Sequence, residues 1–355
     1  MAHGTSIGLV GSCLAFLAGS VALAQSSSSI DERIRAGVAQ YDRGDLASAR
    51  AIFEGVIEEA PDHVTAIYEL AYTHLGQGDA ARSLEILDEA IARPLPVTAE
   101  FYALSASILD NIGRPEEAVE RFDQGVAAFP DNHNLVLNFG ITQLRLNDRE
   151  SARSTFERAA TLAPDHPSAH FFLGQIYAGE GRTAAAVLAL GKGIGFDNQG
   201  QRIASSTMMI KSMMENGVQT SEDGTPIVVV DVNYLAPPMT IDKLSSAVPL
   251  RYSMALAAQR KSGGDLSYEP YAVAFATLVS EFVDADIDPE SHFAAAHYRD
   301  FFGPMAENGH VLTFAHMILA ALNPQGATAW IESHREEVDA FRAWTRSRQV
   351  QGAAN

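Results

Sequence analysis

The stretch GDLASARAIFEGVIEEAPDH, Gly44 to His63, decides the fold. A Gly-Asp pair turns the chain, a helical run follows with small and apolar residues on one face, and Ala-Pro-Asp closes it. Such a run cannot bury its apolar stripe alone, so it reads as the second half of a helix pair. The pattern returns along the chain. Turn residues recur at Gly44-Asp45, Gly78-Asp79, Gly113-Arg114, Asn147-Asp148 and Gly181-Arg182, in steps of 34, 35, 34 and 34. A small residue stands five positions after each turn begins: Ala49, Ser83, Ala118, Ala152 and Ala186. A bulky one stands four further on: Phe53, Leu87, Phe122, Phe156 and Leu190. Small residues also precede the turns, at Gly37, Ala71, Ala106, Gly140 and Gly174. Pro61-Asp62, Pro130-Asp131 and Pro164-Asp165 close three of the units.

Period and residue classes together resemble the tetratricopeptide repeat (TPR) family. The segment SAHFFLGQIYAGEGRTAAAVLAL, Ser168 to Leu190, is similar to the family pattern through Leu173-Gly174, Tyr177, Gly181 and Ala186. The physics is consistent with that resemblance. Small residues let two helix backbones approach, and the large residue fills the gap beside them. Proline cannot continue a helix interior and separates the units. Stacked neighbours then bury the faces that one pair leaves open. Two departures stand out. The second unit has an extra residue and ends ARPLPVT, and the fifth lacks the closing proline and ends LALGKGIGFDNQG. Gly191-Lys192-Gly193-Ile194-Gly195 is not a phosphate loop, since no strand precedes it and no Lys-Ser or Lys-Thr ends it. The sequence predicts a fraying helix end there.

In the family, the first helix of each pair lines a concave groove that binds peptides or partner proteins. Carried over, the resemblance places Ile34, Val38 and Tyr41, then Tyr68, Tyr72 and Leu75, in that groove. Glu100, Ser107, Asp110 and Asn111 follow, then Asn134, Ile141 and Arg145, then Phe171 and Gln175. Tyr41, Tyr68, Tyr72, Asp110, Asn111, Arg145, Phe171 and Gln175 are the candidate partner-binding residues. Tyr68 and Tyr72, with Phe171, are the best anchors, because an aromatic ring supplies contact area at low entropic cost. The competing reading packs several of them against the rest of the chain. The Lys/Asn set by which some members clamp a C-terminal carboxylate is missing. Its slots hold residues such as Val38, Tyr72, Ser107 and Ile141.

Outward from the repeats, the chain has 355 residues, 47% hydrophobic and 19% charged, with a net charge of −19. That balance disfavours nucleic acid and anionic membrane surfaces, both of which need Lys and Arg. Residues 1–24 are small and apolar, and Ala22-Leu23-Ala24 before Gln25 fits a secretory cleavage site, although no early Lys or Arg is present. The apolar core, Ile7 to Ala24, barely reaches the ~20 residues a membrane span needs. Cys13, the single cysteine, lies inside this leader. The chain after cleavage would therefore lack disulfides, thiolate metal sites and a cysteine nucleophile. Gly4-Thr5-Ser6-Ile7-Gly8 matches GxSxG only within the leader, without the strand-turn-helix context that motif needs.

Residues 199–355 resemble no named family. IASSTMMIKSMMENG reads as a helix capping the array, and its methionines Met208, Met209, Met213 and Met214 as adaptable packing rather than a copper site. EDGTPIVVVDVNYLAPPM reads as a strand, hairpinned with GVQT, or an extended segment. From Thr240 the helical period returns, for five or six helices. His292, His297, His310, His316 and His334, near Asp300 and Glu307, are the candidates for metal or acid–base work. His292 to His297 and His310 to His316 are five and six apart, off one helical face. Ser291 with these histidines and Asp300 lacks any oxyanion-hole motif.

The sequence therefore predicts an all-α protein: a TPR-type α-solenoid of about five helix pairs, then a mainly helical C-terminal domain with a short β or extended segment. Its expected division is a leader at 1–24, a flexible lead-in at 25–29, the array at 30–198, a capping helix and connector at 199–239, and a helical domain at 240–355. The expected function is an exported scaffold, periplasmic or secreted, that binds a protein or peptide partner in envelope assembly, secretion or polysaccharide export. No cofactor, metal, nucleic acid or integral membrane domain is expected. The alternative is an enzyme whose catalytic part is residues 199–355, recruited through the repeats.

Overall fold

The computed structural model describes residues 30–222, 225–228, 239–263, 268–288 and 292–352. The leader, the lead-in, most of the expected extended stretch (229–238) and Ser291 lie outside the described residues. The described chain is all-α apart from one small hairpin. Helix α1 runs over 30–42, and α2 follows at Leu46–Glu59. Next come α3 (Val64–Gly76), α4 (Ala80–Ala92), α5 (Ala99–Asn111), α6 (Pro115–Ala128) and α7 (His133–Arg145). Then follow α8 (Arg149–Leu162), α9 (Pro167–Gly179), α10 (Thr183–Phe196) and α11 (Gly200–Glu215).

The repeated turn has a stereochemical cause. Gly44, Gly78, Gly113 and Gly181 sit at φ of +82°, +83°, +81° and +74°, and Asn147 at +61°. That left-handed conformation costs an ordinary L-residue about 1–2 kcal/mol, glycine nothing, and asparagine less than most. The next residue starts the following helix. Asp45, Asp79 and Asp148 accept hydrogen bonds from the backbone N–H of Ser48, Arg82 and Ser151. Arg114 makes no such cap, and Pro115 opens α6 instead.

Packing follows the same period. Ala49, Ser83, Ala118, Ala152 and Ala186 are fully buried, as are Phe53, Leu87, Phe122, Phe156 and Leu190. The small residues before the turns make room for the large ones. A Cβ on Gly37 would lie 2.5 Å from the Phe53 ring, and one on Gly174 would lie 2.5 Å from Leu190.

The chain divides into two compact units, one ending at Thr142 and the other beginning at Gln143. In the first, α2 to α6 pack in sequence, each on the next. In the second, α10 is central. Every residue from Ala184 to Ile194 is buried, and α9 and α11 pack against this helix. This corrects the expectation of a fraying helix end at Gly191–Gly195. A Cβ on Gly191 would lie 2.5 Å from Phe275, and one on Gly195 would lie 2.9 Å from Phe314. The glycines let aromatic rings from later in the chain close onto the rod.

After α11, β1 (Val218–Thr220) pairs antiparallel with β2 (Pro226–Val228), Val218 opposite Val228 and Thr220 opposite Pro226. The rest is helical: α12 (Ile241–Ser245), α13 (Ala247–Ser262), α14 (Glu269–Asp284), α15 (Phe293–Glu307) and α16 (Val311–Ile318). Of these, α12, α15 and α16 also pack on α10. A 3₁₀ turn at Ala320–Leu322 leads to α17 (Pro324–Ser333) and α18 (Arg335–Gly352). Gly326 lies inside α17. Its N–H is capped by the Asn323 side chain at 3.0 Å, and the helix ends instead at His334.

Candidate functional site

Three of the predicted groove residues come together in the first unit. Tyr41 ends α1, and Tyr68 and Tyr72 lie one turn apart on α3. The Tyr41 and Tyr72 rings are 5.2 Å apart, the Tyr72 and Tyr68 rings stack at 6.3 Å, and Tyr68 meets Phe101 of α5 at 5.4 Å. Phe101 is buried and anchors the row, whereas Tyr72 is 38% exposed. The row thus crosses the first helices of three successive pairs, with buried Phe101 at one end, half-buried Tyr41 at the other and exposed Tyr72 between them. Burial, then Glu69, Glu100 and Tyr72, push the Tyr68 phenol up to about 12. Burial, then Tyr72, Glu69 and Asp42, hold the Tyr41 phenol above its ordinary value. Sequence reasoning missed Asp42 and Glu69. Their signal was adjacency: each directly neighbours a tyrosine of this row.

The other candidates lie on other helices. Asp110 is mostly buried and accepts a hydrogen bond from the Thr142 hydroxyl at 2.9 Å, which ties α5 to α7. Asn111 is exposed at the end of α5, and Arg145 ends α7. Phe171 and Gln175 belong to α9 in the second unit, where Phe171 is partly buried edge-on to Phe172 and Gln175 is exposed.

Residues 40–108 and 137–199 match family models described as tetratricopeptide repeat. The chain carries tetratricopeptide repeats. No curated protein matches the chain. Among solved structures it is similar to PilF of Pseudomonas aeruginosa, at 17% identity over 69% of this chain and 97% of that one, with a TM-score of 0.47. It is also similar to TTC0263, a TPR protein of Thermus thermophilus, at 23% identity over 51% and 99% of the two chains, with a TM-score of 0.42. YrrB, whose structure is described as that of a TPR protein with an unusual peptide-binding site, matches at 16% identity over 50% and 94%, with a TM-score of 0.39.

The histidines of the second unit, beside its TPR helices, are taken up by packing and hydrogen bonds. His292 caps α15, its Nδ1 accepting from the Ala294 N–H at 3.1 Å and from Arg182 at 3.2 Å. His297 Nε2 stands 3.0 Å from the ammonium of Lys192, inside α10. His170 lies against Tyr298 and reaches the Pro164 carbonyl at 2.7 Å. His316 stacks on Trp330, with ring centres 3.8 Å apart, and meets the Tyr268 hydroxyl at 2.9 Å. His334 also stacks on Trp330, at 4.3 Å, and His310 lies against Phe341 and Trp344. Among the described residues, no three His, Cys, Asp or Glu side chains gather as a metal site would need. Nor do the methionines of α11 converge: Met214 is fully buried, while Met208 is 56% exposed.

Burial sets the charge states here. It lowers His297 and His316 to about 4, aided by the Lys192 charge and by His334 respectively. His316 Nε2 is 3.6 Å from Glu269, but a neutral imidazole makes no ion pair there. Burial likewise brings Lys192 down to about 8 against the pull of Asp165 and Asp300. At neutral pH the ammonium donates to His297 Nε2, so the imidazole proton sits on Nδ1. A shallow apolar cleft of about 420 Å³ lies between Val273, Thr277 and Ser280 of α14 and Ala306, Gly309 and Leu312. Its two lining hydroxyls, Thr277 and Ser280, donate back to the Val273 and Ala276 carbonyls of the same helix at 2.8 and 3.0 Å.

Proposed function

We propose that this protein is an exported protein-interaction scaffold, and that the tyrosine row of its first unit docks a peptide segment of a partner protein. Tyr41, Tyr68 and Tyr72 carry this reading. They form an aromatic surface on first helices of the repeats, anchored by buried Phe101, with Tyr41 and Tyr68 half-buried on either side of exposed Tyr72. Rigid rings held in this way lose little entropy when a partner covers them. Phe171 and Gln175 occupy the equivalent helix of the fifth repeat and stand as separate candidate contacts in the second unit. Export rests on the apolar leader and its Ala22-Leu23-Ala24 site, and puts the work in the periplasm or outside the cell. The roles that suit such a scaffold are envelope assembly, secretion or polysaccharide export.

The test is site-specific photocrosslinking in the native cell. A photoreactive residue at position 72 is compared with one at Glu120, an exposed position on α6. Capture of one protein from position 72 alone, through one segment, supports the reading. Equal capture from both positions contradicts it.

A further inference from the structure

Charge, as well as aromatic surface, distinguishes the tyrosine row. Glu69 lies between Tyr68 and Tyr72 on α3 and is half buried, with the Asp42 charge acting on it. Burial, then Asp42, holds its carboxyl above the usual range. Glu100, at the start of α5, acts on Tyr68. Besides the Tyr72 phenol, whose ring is 5.2 Å from that of Tyr41, carboxylates act on Tyr41, Tyr68 and Glu69. Of the unit's eight arginines six are engaged elsewhere: Arg33 with Glu59, Arg50 with Glu54, Arg82 with Glu85, Arg93 with Asp62, Arg114 with Glu117 and Arg121 with Asp88. The other two, Arg35 and Arg43, are exposed on and just after α1. A half-buried carboxylate beside a like charge is costly, and an arriving cation relieves that cost. Tyrosine faces add a cation–π attraction for the same cation.

We infer that the Tyr41, Tyr68 and Tyr72 rings, with Glu69, Asp42 and Glu100, seat a lysine or arginine side chain of the docked partner segment. The inference rests on the reading of this row as a docking surface and gives its occupant a chemistry: a basic peptide, complementary to a chain of net charge −19. Diffuse attraction to an acidic protein would be spread over the surface and screened by salt. The seat described here is local: it centres on half-buried Glu69, with Asp42, Glu100 and the three rings beside it.

The test titrates the full-length protein with a capped peptide of alternating lysine and alanine, and with the same peptide carrying glutamate for lysine. Isothermal calorimetry is run on wild type, Glu69→Gln, Tyr72→Ala and, as a surface control, Glu120→Gln. The expected result is binding of the lysine peptide alone, weakened about tenfold or more by Glu69→Gln and by Tyr72→Ala but not by Glu120→Gln. Circular dichroism confirms that each variant is folded. Equal weakening by Glu69→Gln and Glu120→Gln, equal binding of the two peptides, or no binding of the lysine peptide overturns the inference. The docking reading fails separately, if a partner segment captured from position 72 binds Tyr72→Ala as tightly as wild type.

Discussion

Lys192 places its ammonium 3.0 Å from Nε2 of His297, although 105 residues separate them and both lie among aromatic rings. A helix crowded on every side has taken in a charge and has given it a neutral base rather than a carboxylate as its direct partner. The consequence is a pH dependence with a defined sign. Lys192 titrates near 8 when folded and at its ordinary 10.5 when unfolded. Between these values the unfolded chain holds more protons, so stability rises with pH across that window. Lys192→Met abolishes the rise, measured by urea unfolding at pH 7, 8, 9 and 10. An equal rise in the variant would show that Lys192 is not its source.

The buried histidines act at the acid end. His297 and His316 titrate near 4 when folded, against an ordinary 6.5. Their folded values are lowered, so the unfolded state binds the extra protons. Stability is full above about pH 6.5 and falls as the pH drops toward 4. The double variant His297→Gln/His316→Gln is less stable than wild type at pH 7 but loses less on going to pH 4.5, read by urea midpoints at the two pH values.

Gly37→Ala tests the close crossings. Alanine is the better helix former by about 1 kcal/mol. The added methyl nevertheless lands 2.5 Å from a Phe53 ring that is fully buried and cannot yield cheaply. Net destabilisation of about 1–3 kcal/mol is expected, with partial recovery in Gly37→Ala/Phe53→Leu. A Tm equal to wild type would refute the packing argument.

The left-handed turns separate two further substitutions. At Gly113, with φ +81° and open space around the missing Cβ, alanine costs about 1 kcal/mol through backbone strain alone. At Asn147, with φ +61°, glycine is neutral to stabilising. Thermal melts of the two variants should move in opposite directions, or the first alone should move.

The repeats were legible because their period is local. Each turn needs a residue that tolerates positive φ, each crossing a small side chain, each gap a large one. Gly44, Ala49 and Phe53 show all three within ten positions. The tyrosine row was legible in part. Tyr41, Tyr68 and Tyr72 follow from their places on first helices, but Asp42 and Glu69 look like ordinary solvated charges until the fold brings them together. The second unit was least legible. No spacing rule links Lys192 to His297, or His170 to Tyr298, since these pairs form only through tertiary packing. The glycines of α10 misled for a similar reason. Glycine weakens an isolated helix, whereas here it admits Phe275 and Phe314, which lie far along the chain.

The most direct measurement is calorimetric titration of wild type and Tyr72→Ala with the segment captured by crosslinking at position 72. Loss of a central aromatic anchor costs about 2 kcal/mol, so Tyr72→Ala should bind roughly thirtyfold more weakly while keeping the wild-type Tm. Equal affinities for the two proteins would contradict the tyrosine row as the docking surface.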